Sequence, residues 1–342
     1  MPVIYSDYQA PLLFRNPHLH TIFPYLLRKR PKLKYSRTRI ETKDHDFLDL
    51  DFLIHKDSHL SSKKSELSYK NPNSSLVIIC HGLESNSETG TEASIVKILY
   101  DHDYDILAMN YRACSGEDNR LSKTYHSGKS EDLREVIAYV LENYNYENIY
   151  LVGISIGGNI VLKYLGEEAG QINPKIKKAI ALSTPIDLAC SANQMAKPTN
   201  YIYMKRFLLN LYRKMKIKSK HFPDTVSVKD FHKMKNFHDF DGKYTAPLNG
   251  FKSAEDYWQK ASSKQLLNSI QIPTLMLSSE DDSFLGGNCY PILEAMDSKN
   301  LHLEITKHGG HVGFIDFNKE NIYYHERRIL DFFQSSQDRI AS

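Results

Sequence analysis

Residues 150–168 read YLVGISIGGNIVLKYLGEE, and two different hydrophobic periods meet inside them. Ile149 to Val152 is a short apolar run with the composition of a buried strand, whereas Ile160, Val161, Tyr164 and Leu165 recur at helical spacing. Between them lies Gly153-Ile154-Ser155-Ile156-Gly157, a G-x-S-x-G string. Such a string recurs by chance, so it gains meaning only from a strand before it and a helix after it, and both are readable here. In that setting the turn is an elbow that strains the serine backbone and lifts the Ser155 hydroxyl above a sheet. Gly153 and Gly157 stand two residues either side, where a Cβ would collide with the neighbouring strand or the starting helix. Ser155 is therefore a candidate nucleophile.

Outward from the elbow, strands and helices alternate. Residues 76–80 read as a buried strand, 91–100 as a helix, 105–110 as a strand and 130–143 as a helix. Beyond the elbow come strands at 176–183, 272–279 and 301–306, and a closing helix over about 321–333. This alternation predicts an α/β fold with a mostly parallel central sheet, helices on both faces, and ligands at the carboxyl ends of the strands. Upstream, Leu48, Leu50 and Phe52 alternate with Asp49 and Asp51, which predicts a half-exposed antiparallel strand. A second strand should precede it across a turn at Lys43-Asp44-His45. The polar, serine-rich residues 55–75 predict a surface loop, and the proline-interrupted residues 1–33 an arm with one short helix near 20–28.

Between 184 and 263 the alternation lapses. Met204, Phe207, Leu208, Leu211, Tyr212 and Met215 fall on one face of a helix there, with Lys205, Arg206, Arg213, Lys214 and Lys216 on the other. A helical and irregular stretch of that length between two sheet strands predicts a cap over the strand ends. The expected organisation is an arm at 1–33, an α/β core at 34–183 and 264–342, and a cap or lid insertion at 184–263. If the apolar face of that helix lines a pocket, Phe207, Leu208 and Met215 are its candidate substrate contacts.

At 342 residues the chain is long enough to bury a sizeable core. With 44 basic against 41 acidic residues its charge is too balanced to point to nucleic acid. Cysteines 80, 114, 190 and 289 show no paired motif spacing, which fits a reduced, cytoplasmic compartment. The amino terminus lacks the pattern of a signal peptide, and no window is apolar for long enough to read as a membrane span. The basic amphipathic run 204–220 raises peripheral membrane contact, but a cap helix with a solvated basic face is the favoured reading. No metal or cofactor is expected, and a monomer is.

A serine hydroxyl needs a base, and the base needs a partner to hold its tautomer. For an elbow of this kind the chain order is serine, acid, histidine. The strand at 272–279 ends in Glu280-Asp281-Asp282, which puts carboxylates at a strand's carboxyl end. The strand at 301–306 leads into Lys307-His308-Gly309-Gly310-His311, where glycines let the loop swing an imidazole back. His311 is preferred to His308 for its reach, and Asp282 is the acid with Asp281 the alternative, since neighbours at a strand end point apart. The oxyanion donors expected are the backbone N–H groups of Ile156, after the nucleophile, and of Leu83, in the loop His81-Gly82-Leu83-Glu84.

Together these residues resemble the α/β-hydrolase superfamily, and within it the YheT-like branch, the AB hydrolase 4 family. Residues 14–21 (FRNPHLHT) are similar to its N-x-H-x-Q-T motif, with His20 where glutamine is usual. Residues 110–116 (NYRACSG) resemble N-x-R-G-C-S-G with Ala113 in place of glycine, and 125–128 (YHSG) resemble the Y-H-x-G that follows. The resemblance runs from residue 14 to 314. It implies an α/β-hydrolase fold with a helical cap, and a serine hydrolase acting on carboxylic esters of short- to medium-chain acids or of lipids. Ser155, Asp282 and His311 match the family's triad positions. Some relatives transfer the acyl group to alcohols, which is the alternative activity, and a non-catalytic binding protein on the same fold is the other. Arg112 and His126 are expected to tie loops together beneath the pocket.

Overall fold

The computed structural model describes residues 3–55 and 75–335, so all but the ends of the loop expected at 55–75 lies outside the described residues. A short strand β1 (Val3–Tyr5) comes first, followed by the arm helix α1 (Pro17–Leu27). The Asn16 side chain caps α1 by accepting from the His18 and Leu19 N–H groups, and Pro17 opens it at a position that needs no N–H. The hairpin β2 (Ser36–Glu41) and β3 (Phe47–Leu53) precedes the alternating region. That region runs β4 (Ser75–Cys80), α2 (Gly90–Asp101), β5 (Asp105–Asn110), α3 (Ser130–Asn143), β6 (Asn148–Ile154), α4 (Ile156–Glu168) and β7 (Ile176–Leu182). Five helices follow without a strand: α5 (Leu188–Met195), α6 (Tyr201–His221), α7 (Phe237–Phe240), α8 (Ala246–Leu248) and α9 (Ala254–Ala261). The alternation resumes with β8 (Thr274–Ser279), α10 (Ile292–Asp297), β9 (Leu301–Thr306) and α11 (Tyr324–Gln334).

The nine described strands form one sheet in the order β1-β9-β8-β7-β6-β4-β5-β3-β2. β3 pairs antiparallel with both β2 and β5, and every other pairing is parallel. Successive side chains of a strand leave by opposite faces, so each strand feeds two cores. Leu76, Ile78 and Cys80 of β4 meet Leu133, Val136, Ile160 and Val161 of α3 and α4 on one face. Val77 and Ile79 meet Ile95 and Leu99 of α2 and Ile329 and Phe333 of α11 on the other. Full burial of such a side chain is worth roughly 1.5–3 kcal/mol.

Three expectations need correction. β3 is not half-exposed: Asp49 and Asp51 are as buried as the residues between them. Arg39 forks onto Asp49 and Arg37 onto Asp51 across the hairpin, and Ser87 and Asn110 also donate to Asp51, so these carboxylates are satisfied without water. The basic face of α6 is not wholly solvated either. Lys214 turns inward to Glu84 at 2.9 Å and to Cys114 Sγ at 2.9 Å, and Lys218, 1% exposed, reaches Asp118, Asn119 and the Leu121 carbonyl. Finally, the closing helix starts at Tyr324, not near 321, because the Asn318 side chain accepts from the Glu320 and Ile322 N–H groups and holds a turn there. Among the described residues no helix is long and apolar enough to cross a membrane.

Candidate active site

The β6–α4 junction is a single residue. Ser155 has φ 54° and ψ −120°, a conformation an L-residue holds only under constraint from its surroundings. The constraint is steric: a Cβ on Gly153 would strike the backbone of Gly157 and Gly158, and one on Gly157 would strike the Cys80 carbonyl at the end of β4. The start of α4 is also pinned from outside, because Asn159 donates to the Ser127 and Ala261 carbonyls at 2.7 and 2.8 Å and accepts from the Ser263 N–H at 2.9 Å.

The loop after β9 brings His311 over this elbow. Its Nε2 lies 3.0 Å from Ser155 Oγ, and its Nδ1 lies 2.8 and 3.1 Å from the two carboxylate oxygens of Asp282. The Asp282 carboxylate has no solvent exposure and also accepts the Phe284 N–H at 2.9 Å. An acceptor on Nδ1 fixes the neutral tautomer, leaving a lone pair on Nε2 for the serine proton. Asp281 points elsewhere: it accepts from the Gly309 and Gly310 N–H groups at 3.0 and 2.9 Å and meets His308 Nδ1 at 3.1 Å. It is thus neither a solvated turn residue nor a partner of His311, and it shapes the loop that carries that histidine. His308 is correspondingly tied in.

Several positioning groups had no assigned role in the sequence. Thr21 of the arm accepts the His311 N–H at 2.9 Å while donating to the Pro17 carbonyl, and Ser183 accepts the Val312 N–H. Phe284 stacks on the His311 ring at 4.2 Å. His20, fully buried, accepts the Ile315 N–H at 2.8 Å; burial pulls its pKa down to about 4, so it stays a neutral acceptor. Thr21 lay inside a recognised motif, but nothing in that motif says which loop its hydroxyl meets.

The β4–α2 loop faces the elbow. His81 is buried, with Nδ1 2.7 Å from the Gly82 carbonyl and Nε2 accepting the Tyr111 N–H at 3.2 Å, and burial drives its pKa down to about 3. Glu92 accepts from Gly82 N–H and Ser85 Oγ, and burial raises its pKa. The loop is held rigid in this way while the N–H groups of Leu83 and Ile156 have no acceptor among the described residues. The Ile156 group is an unpaired donor at a helix amino end.

Two cavities adjoin the elbow. The outer one, about 450 Å³, is lined by Ser155, His311, Leu83, Phe207 and Phe284, together with Thr21, Tyr25 and Leu26 of the arm. The inner one, about 100 Å³, lies beneath the five-helix insertion and is lined by Ile156, Leu83, Met215, Arg112, His126 and Lys214, among others. Phe207 therefore lines the cavity that holds Ser155 and Met215 the inner one, whereas Leu208 lines neither and is buried in the hydrophobic cluster that includes Phe231 and Tyr244. Arg112 forks onto Asp132 at 2.9 and 2.7 Å and reaches Asp44 and Asp46, joining three segments below the inner cavity. His126 packs edge-on against both Phe251 and Tyr257, which also touch each other, and burial lowers its pKa to about 3.

Comparison with known proteins agrees with this architecture. A family model described as alpha/beta hydrolase fold matches residues 75–317. The chain is 29% identical over 305 residues to YheT of Escherichia coli, covering 88% of this chain and 85% of that one. It is 27% identical over 318 residues to phospholipase ABHD3 of Bos taurus, covering 92% and 75%. Among solved structures, the esterase PF2001 of Pyrococcus furiosus superposes with a TM-score of 0.55 at 17% identity, covering 91% and 92%, a likeness of fold. With a G-x-S-x-G elbow at the carboxyl edge of such a sheet, the chain belongs to the alpha/beta hydrolase fold family, in its YheT-like branch.

Proposed function

We propose that Ser155, His311 and Asp282 act as nucleophile, base and orienting acid in the cleavage of carboxylic esters, those of short- to medium-chain acids or of lipids. As a member of a branch whose curated relatives carry the names phospholipase and monoacylglycerol lipase, the chain is a carboxylic ester hydrolase. The observation that carries the finer reading is one imidazole bonded to both partners: Nε2 at 3.0 Å from Ser155 Oγ and Nδ1 on the Asp282 carboxylate.

In this reaction Ser155 Oγ attacks the ester carbonyl as its proton passes to His311 Nε2, and Asp282 stabilises the imidazolium that results. The carbonyl oxygen becomes anionic and is received by the free N–H groups of Leu83 and Ile156, each such donor being worth roughly 3 kcal/mol at the transition state. His311 then protonates the departing alcohol, and a water deprotonated by the same nitrogen hydrolyses the acyl-enzyme. The insertion at 184–263 serves as the cap, with Phe207 and Met215 as candidate contacts for the acyl chain. The cysteines at 80, 114, 190 and 289 are all free thiols, which supports a reduced compartment such as the cytoplasm.

The test is hydrolysis of a p-nitrophenyl ester series by the wild type and Ser155→Ala, beside labelling with a fluorophosphonate. Wild type should label at Ser155 and turn over, and Ser155→Ala should lose about 10⁴-fold or more in kcat. A folded wild type that neither labels nor cleaves any ester would sink the reading. Product analysis with added ethanol separates free acid from ethyl ester, and so hydrolysis from acyl transfer.

A further inference from the structure

Beside the β4–α2 loop, the outer cavity is lined by two helices, α1 and α6, that contain no acidic residue. Tyr25 and Leu26 of α1 and Ile202 and Arg206 of α6 line it together, and the Arg206 guanidinium lies 4.0 Å over the Tyr25 ring. Leu26 is 66% exposed and Ile202 73%, so both stand on the rim and not in the interior. The apolar surface continues beyond the cavity at Leu27, 70% exposed, and Leu209, 49% exposed. Exposed apolar side chains gathered at one opening mark an interaction surface, whereas scattered ones do not.

The charged side chains that α1 and α6 themselves contribute are all cationic. Ile202, Arg206, Leu209 and Arg213 recur on one face of α6, mixing aliphatic and cationic groups. Only Lys214 and Lys218 of that helix turn inward to carboxylates; Lys205, Arg206, Arg213 and Lys216 are exposed and have no ion-pair partner among the described residues. Lys29 and Arg30, directly after α1, are likewise exposed and unpaired among those residues. The chain as a whole carries only +3, so this concentration is a local feature. Aliphatic side chains interleaved with unneutralised cations match an acyl boundary beneath anionic headgroups, each cation near such a surface contributing about 1 kcal/mol, or about fivefold in binding.

We propose that the rim formed by the carboxyl end of α1 and the outer face of α6 docks on an anionic lipid bilayer, with the cavity mouth turned towards the lipid. The reading goes beyond the chemistry at Ser155 and does not depend on it.

Sedimentation with phosphatidylcholine vesicles, and with vesicles of phosphatidylcholine and phosphatidylglycerol in equal parts, tests it on the full chain. The chain should sediment with the anionic vesicles at low salt, release as salt rises, and bind the neutral vesicles at least about tenfold more weakly. Lys205→Glu with Arg213→Glu should weaken anionic-vesicle binding at least about tenfold. Leu27→Ser with Leu209→Ser should weaken it by a similar factor, and Ser155→Ala should bind as wild type. None of the four rim positions lines either cavity, so both double variants should keep wild-type turnover of soluble p-nitrophenyl butyrate, which also reports that they fold. Absence of sedimentation with anionic vesicles at low salt overturns the proposal, as does a charge-reversed variant that binds unchanged. A dimer in light scattering that Leu27→Ser with Leu209→Ser dissociates assigns the surface to a second copy and overturns it too.

Discussion

Asp281 and Asp282 carry the same carboxylate one residue apart, and the turn after β8 sends them to different tasks. Asp282 meets the His311 ring, and Asp281 collects the N–H groups of Gly309 and Gly310. Asp282→Asn should therefore lower kcat by about 10⁴-fold with little change in KM or stability, because the amide favours the wrong histidine tautomer. Asp281→Asn should instead cost about 1–3 kcal/mol of stability, as charge-assisted bonds to the loop weaken, with a smaller loss of activity. Urea denaturation and steady-state kinetics on both variants separate the two outcomes. Ala113 is a second residue with a definite expectation. It sits at φ 59°, where the family's usual glycine carries no Cβ penalty, so Ala113→Gly should raise stability by about 1 kcal/mol in the same denaturation assay.

The elements hold the site by close approach and by one buried ion pair. Gly157 lets α4 start against the Cys80 carbonyl of β4, and that neighbour is backbone, which cannot rotate away. Gly157→Ala should cost roughly 3 kcal/mol and displace Ser155, so activity should fall along with the denaturation midpoint. Lys214 of α6 reaches Glu84 in the loop that carries Leu83, and the Tyr125 hydroxyl donates to the same carboxylate at 2.6 Å. Lys214→Met should cost about 3 kcal/mol by stranding Glu84, and the double variant Lys214→Met with Glu84→Gln should recover much of that loss. Additive losses in this cycle would mean the pair does not couple the insertion to the loop.

At the scale of the whole molecule, burial of neutral histidines sets the response to acid. Burial draws His81 and His126 down to about 3, and His20 and His302 down to about 4, from 6.5. The unfolded chain takes up protons at these positions near pH 6.5 and the folded chain does not. Their contribution is therefore complete above about 6.5 and is lost as pH falls towards the folded values, at up to about 1.4 kcal/mol per histidine per pH unit. Asp241 acts in the opposite sense: burial lifts it to about 6, so its contribution is present below about 4 and lost as pH rises through 6. Glu92, which burial also raises, acts in the same sense as Asp241, but the four histidines outnumber these two carboxyls, and the urea midpoint should drop steeply between about pH 7.5 and about pH 5.5. His302→Gln, remote from the site, should flatten that slope.

The alternation of strand and helix, the elbow and the order of serine, acid and histidine were legible because they rest on local periods and spacings that a chain carries in one dimension. The hairpin at 34–54 was legible as two strands and a turn but not in burial, since the fate of Asp49 and Asp51 depends on Arg37 and Arg39 reaching across from another strand. β1 escaped notice because three residues are too few to display a period, and its partner β9 lies about three hundred residues away. Likewise Thr21, Phe284 and the inward turn of Lys214 acquire their meaning only from what lies opposite them. Sequence by itself determined the kind of fold and which side chains could do chemistry; tertiary structure alone decided which carboxylate faces the imidazole, which lysines leave solvent and which helices rim the cleft, because each of those is a contact between segments whose distance in space no local pattern encodes.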